Sequence, residues 1–192
     1  MNASNKAHTL VGETLAWNSD GSTLAIAASS IGISLWDTQH MQPIREFHDD
    51  GSPVTSIRWQ PHGTYIAVQE REMTFFRVGT LLKNHIWDAN DDESTDVLTR
   101  FTHEADAALD FWDWSADGKQ LAAIVDQTLY LWDAATGKTK TRFVSDYQYP
   151  YLGLEAIRWS PSGHYIIMAM DGNGTGGSYI YNIDANKIAF GY

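Results

Sequence analysis

The segment DANDDESTD, Asp88 to Asp96, gathers five acidic side chains in one short run. A calcium loop takes oxygen ligands at alternating positions, with Gly at the sixth and Glu at the twelfth. Asp88, Asn90 and Asp92 meet the alternation, but the sixth position is Glu93 and the twelfth is Thr99. The segment therefore reads as a solvated acidic loop. A second candidate, DGNGTGGS from Asp171 to Ser178, sets Gly172, Gly174 and Gly177 in a G-x-G-x-x-G spacing. That spacing binds a pyrophosphate only where a helix follows, because the N–H groups of the helix N-terminus hold the anion. SYIYNI follows instead, which has the character of a strand, so the glycines read as a hairpin loop. The seven histidines (His8, His40, His48, His62, His85, His103 and His164) contain no H-E-x-x-H pair of the kind that holds a hydrolytic zinc. There is no G-x-S-x-G elbow and no cysteine, so a thiolate nucleophile, a disulfide and a Cys-type zinc site are excluded. The sequence assigns no catalytic residue, cofactor or metal, and the chain is read as non-enzymatic.

The bulk numbers narrow the partners. The 192 residues carry 24 acidic against 13 basic side chains, a formal net charge of -11. Binding to a phosphate backbone needs clustered Lys and Arg, so nucleic acid is not the expected partner. An apolar content of 43% is that of a globular chain. MNASNKAHTLVGE lacks the apolar stretch of a secretory signal, and no apolar run reaches the length of a membrane helix. The expectation is a soluble, cytoplasmic protein with no membrane contact.

The elements that must position any site come from an internal repeat. Trp followed four residues later by Gly occurs at Trp17 and Gly21, Trp59 and Gly63, Trp114 and Gly118, and Trp159 and Gly163. The residues between are NSD, QPH, SAD and SPS, all turn formers. Each Gly leads into a short apolar run: STLAIAA, TYIAVQ, KQLAAIV and HYIIMAM. A second aromatic run follows as ISLWD, HIWD, LYLWD and YIYNID, and the copies close on IREFH, VLTRFTH, KTRFVS and KIAFGY. Phe47, Phe101, Phe143 and Phe190 take matching places there. Short runs of Ile, Val, Leu, Trp and Tyr between Gly, Asp, Ser and Pro are strands and turns at close spacing. No sustained 3.6-residue apolar period is present, so little helix is expected. Each copy supplies about four strands, and a four-stranded meander cannot bury both faces alone. Radial stacking of such sheets buries the faces between neighbours.

With Trp36-Asp37, Trp87-Asp88 and Trp132-Asp133 closing the third strands, the chain resembles the WD-repeat family of β-propellers. Tyr181-Asn182 replaces the pair in the fourth copy. Pieces such as IRWSPSGHYIIMAMDG are also similar to propeller repeats of prolyl oligopeptidase relatives. The resemblance implies an all-β fold of four-stranded antiparallel blades. Four blades are expected, at about residues 12–50, 51–104, 105–147 and 148–192, after an extension at residues 1–11. Family members often fix a blade with an Asp, His, Ser or Thr, and Trp network. Here Asp126 and Trp132 match it, Ser30 stands at the Asp place, His48 and His103 lie near the His place, and Ile26 and Ala123 hold the Ser place. Apolar packing is therefore expected to hold the blades. In the second copy either MTFFRV or HIWD supplies the third strand.

The resemblance implies a ring of seven or eight blades, of which four are here. The end sheets should then expose apolar faces. Three completions are open: the chain is a fragment, it pairs with a second copy as a homodimer of eight blades, or it completes another propeller. The implied function is a non-catalytic scaffold for a protein or peptide partner. The implied contacts are Tyr147, Tyr149 and Tyr151 of DYQYPY, with Gln127, Glu70 and Arg71 from turns on the same face. The alternative is the propeller cap of a larger hydrolase.

Overall fold

In a computed structural model of the chain, residues 14–28, 32–47, 53–72, 81–91, 111–125, 128–144, 153–171 and 177–191 are described. They form fifteen strands and, among the described residues, no helix. The first repeat gives β1 (Thr14–Trp17), β2 (Thr23–Ala28), β3 (Gly32–Asp37) and β4 (Gln42–Phe47). The second gives β5 (Val54–Trp59), β6 (Tyr65–Glu72) and β7 (Leu81–Asp88). The third gives β8 (Phe111–Trp114), β9 (Gln120–Val125), β10 (Thr128–Asp133) and β11 (Thr139–Val144). The fourth gives β12 (Gly153–Trp159), β13 (Tyr165–Asp171), β14 (Gly177–Asn182) and β15 (Lys187–Gly191). Each repeat forms its own antiparallel meander, and none shares a sheet with another. In the second repeat HIWD is the third strand, with Ile66 opposite Trp87. MTFFRV and VLTRFTH lie outside the described residues, as do Asp126, Ser30, His48 and His103.

The Trp-x-x-x-Gly turn is the same object four times. The residue after each Trp donates its N–H to the carbonyl six residues after that Trp: Asn18 to Thr23, Gln60 to Tyr65, Ser115 to Gln120 and Ser160 to Tyr165, at 2.8–3.0 Å. Gly21, Gly118 and Gly163 close it with φ between 69 and 77°, a region that costs L side chains energy. In the second copy His62 takes the left-handed conformation, at φ 55°.

The Asp of the Trp-Asp pair also has a local job. Its Oδ1 accepts from backbone N–H groups of the next turn: Asp37 from Gln39 and His40, Asp88 from Asn90, and Asp133 from Thr136. Asn182 accepts from Ala185 in the same way, so the fourth repeat keeps the acceptor without the charge. Hydrogen bonds, chiefly from the side chains of His40 and Thr136 respectively, hold the carboxyls of Asp37 and Asp133 below the usual carboxylate range. A depressed folded-state value stabilises above the unfolded value, and that contribution disappears as pH falls through the folded value. The melting temperature of the chain should therefore drop as pH falls below about 4. The Asp37→Asn, Asp133→Asn double variant should show a shallower drop; an unchanged slope would remove these turns from the account.

Three apolar clusters lie between the sheets. Ala25, Ile33, Leu35 and Phe47 of the first sheet meet Val54, Ile57, Ile66 and Trp87 of the second. Ala67 and Ile86 meet Trp112, Trp114, Tyr130 and Trp132 of the third. Ala122, Ile124 and Leu131 meet Ile157, Trp159, Ile166 and Tyr181 of the fourth. Among the described residues, the large hydrophobic side chains left exposed are Leu15, Trp17, Met41, Ile44, Tyr165 and Ile167. All lie on the first or fourth sheet, where an open array has no neighbour.

Candidate functional site

The first strands of three successive sheets meet at one edge of the array. Each places the residue just before its repeat tryptophan there: Arg58 on β5, Asp113 on β8 and Arg158 on β12. A cavity of about 150 Å³ opens beside them, lined by Ser56, Arg58, Gln69, Trp112, Ala156 and Arg158, with Phe111 at its side. Asp113 sits between the two guanidinium groups in sequence order. Its Oδ1 is 3.8 Å from Arg58 Nη1, and its Oδ2 accepts the Trp159 backbone N–H at 2.9 Å. Burial pushes the Asp113 carboxyl above its usual value, against the lowering effect of that N–H and the two arginines. Burial also lowers the Arg58 guanidinium, helped by the charge of Arg158. Desolvation thus outweighs the ion pair at both partners. Arg58 lies over the Trp112 ring at 6.0 Å, close enough for a cation–π contact. The Trp112 indole N–H donates to Asn84 Oδ1 at 2.9 Å, and Gln69 Nε2 reaches the same oxygen at 3.4 Å. The wall of the cavity is therefore fixed by buried hydrogen bonds, while Arg158 is exposed to an incoming group.

This arrangement suits recognition more than bond making. Two cations, one carboxylate whose ionisation is disfavoured, and an aromatic wall can hold an anionic group next to apolar surface. Among the described residues no group of three or more His, Asp and Glu is arranged to hold a metal ion. No helix among them is long and apolar enough to cross a membrane.

The contacts expected from the sequence are distributed differently. Tyr147, Tyr149, Tyr151 and Gln127 lie outside the described residues. Glu70, expected on an open turn, is 1% exposed within β6, with a carboxylate oxygen 3.5 Å from His85 Nε2. Arg71 is also a strand residue, paired with Leu82. The run QERE reads as a turn because it is polar, but β6 and β7 continue pairing as far as Glu72 and Leu81. Sequence reading passed over Arg58, Asp113 and Arg158. The signal was present, since all three occupy the same column of the repeat, one place before Trp59, Trp114 and Trp159.

Separate antiparallel meanders, three of four strands and one of three among the described residues, stacked face to face with their first strands converging, are the blades of a β-propeller. The model of the family described as WD domain, G-beta repeat matches residues 41–68. The chain is 24% identical over 149 residues to the anaphase-promoting complex subunit cdc20 of Dictyostelium discoideum, covering 77% of this chain and 27% of that protein. It is 27% identical over 146 residues to a eukaryotic translation initiation factor 3 subunit of Aedes aegypti, covering 73% of this chain and 18% of that one. The chain thus spans about a quarter or less of these relatives. Among solved structures, a chain in the crystal structure of the mitotic checkpoint complex superposes with a TM-score of 0.62 at 16% identity. That match covers 93% of this chain and 49% of the other. The chain has the fold of a β-propeller, with four blades among the described residues, and is similar to WD-repeat proteins over the matched segment 41–68.

Proposed function

We propose that the chain is a non-catalytic protein-interaction scaffold, and that the cavity beside Arg58, Asp113 and Arg158 seats an acidic side chain of a peptide partner. The observation that carries this reading is the pair of guanidinium groups on one cavity wall in a chain of net charge -11. A local cationic spot on an acidic molecule selects by contact and not by long-range attraction. The names of the relatives fit an assembly role, since each is a subunit of a larger factor or complex. Tyr147, Tyr149 and Tyr151, which stand between β11 and β12 in the sequence, are further candidate contacts of the residue type that dominates interfaces.

Fluorescence anisotropy with a labelled acidic peptide library tests the site. The Arg58→Ala, Arg158→Ala pair should weaken the best binder at least about 10-fold, from the loss of charge-assisted hydrogen bonds. Asp113→Asn keeps an oxygen for the Trp159 N–H and removes the competing carboxylate, so it should tighten binding. Binding indifferent to all three changes would end the proposal.

A further inference from the structure

Numbered from its own tryptophan, each repeat offers equivalent columns, and in three of these, among the described residues, burial is lost at the two ends of the array. Two residues before the Trp stand Leu15, Ile57, Trp112 and Ile157, exposed 60%, 6%, 6% and 1%. The tryptophan is 55% exposed at Trp17, against 4% at Trp114 and 8% at Trp159. Eight residues after it stand Ala25, Ala67, Ala122 and Ile167, exposed 0%, 2%, 0% and 45%. At every interior junction the later column of one blade shares a cluster with the earlier column of the next: Ala25 with Ile57, Ala67 with Trp112, and Ala122 with Ile157. Leu15 and Trp17 at one end, and Ile167 at the other, are the two halves of one further junction.

An indole hydrogen bond recurs at two of the three interior junctions, while the junction between β5 and β8 does not show it. Trp59 Nε1 donates to the Ala16 carbonyl at 3.0 Å, and Trp159 Nε1 donates to the Asp113 carbonyl at 3.1 Å. The acceptor in each case is the residue just before the preceding blade's tryptophan. Continued past the ends, the rule makes the Trp17 indole a donor to an Arg158 carbonyl. The interior junction from β5 to β8 offers a precedent for the side chains, because an arginine-bearing first strand there precedes a four-residue strand ending in Trp114, as β12 would precede β1.

We propose that a second copy of this chain docks on both open faces, with Leu15 and Trp17 of each copy against Tyr165 and Ile167 of the other and each Trp17 indole bonded to the other's Arg158 carbonyl. The inference deepens the scaffold reading by naming one partner, and it rests on the blade geometry rather than on the arginine cavity. A second copy is the occupant because this chain carries both halves of the contact, so two copies satisfy all four faces through two identical junctions. The result is a closed two-fold assembly of eight blades.

Light scattering on the purified chain across a concentration series tests this. The expected mass is about 43 kDa, twice 21.5 kDa. Trp17→Glu and Ile167→Glu alter exposed residues on opposite ends, and each variant alone should fall to the single-chain mass. An equimolar mixture of the two should regain the doubled species, because one junction between them is intact. A single-chain mass for the unaltered protein, growth beyond two copies, a Trp17→Glu chain that keeps the doubled mass, or a mixture that stays at the single-chain mass would each overturn the proposal. Peptide affinity measured on the same samples separates its failure from that of the scaffold reading: single-chain protein that still binds through Arg58 and Arg158 loses only the pairing.

Discussion

Gly118→Ala is expected to destabilise the chain by about 2–5 kcal/mol, whereas Gly163→Ala at the equivalent turn should cost only about 1–2 kcal/mol. Both glycines are left-handed, at φ 69° and 77°, so both substitutions bear the conformational cost. They differ in what a new methyl group would meet. At Gly118 it would lie 1.9 Å from the carbonyl oxygen of Pro61, a backbone atom in the neighbouring blade. At Gly163 nothing lies within 4 Å. Gln60 Nε2 also donates to the Gly118 carbonyl at 2.7 Å, tying the same two turns together. Relief of the clash would have to separate the second and third blades and lengthen that bond. Urea unfolding of the two variants decides the matter, and equal losses would show that the turns do not press on each other.

Trp132→Ala should cost about 3–5 kcal/mol, the usual range for truncating a fully buried large aromatic residue. Trp132 is 0% exposed and stacks on Tyr130 with ring centroids 5.4 Å apart. It belongs to the cluster between the second and third blades. Trp36 holds the same place in the first repeat, and its indole N–H bonds only as far away as Ser34 Oγ, at 3.0 Å. It is half-buried on the side where the array has no preceding blade. Trp36→Ala should therefore cost less than half as much, when both are measured in the Trp17→Glu background to keep chains single. Equal losses would mean that Trp-Asp tryptophans act within their own sheet and not across the junction.

The blades were legible because their signals are local. Trp-x-x-x-Gly is a hydrogen-bonded turn contained in seven residues, and the Asp of Trp-Asp caps the next turn, so each leaves a mark in a short window. The exposed ends were legible too, from counting repeats against a ring. Other features depend on pairing between distant segments. MTFFRV and LLKNHIWD are both apolar enough for a strand, and only pairing with β6 chooses between them. Glu70 looked solvated because its neighbours in sequence are charged, while its neighbours in space, including His85, are in the adjacent strand. Arg58, Asp113 and Arg158 are 55 and 45 residues apart, and become one site only when blades are stacked. Local chemistry writes the blade; the junctions between blades are written in columns.

Each of the three apolar clusters straddles two adjacent sheets, and none spans three. The units are therefore coupled like links, each answering only to the next. Duplicating or deleting a unit at either end would leave the remaining interfaces as they are. Lineages of such chains can change their number of blades by unequal copying, with new sequence demanded only at the closing seam.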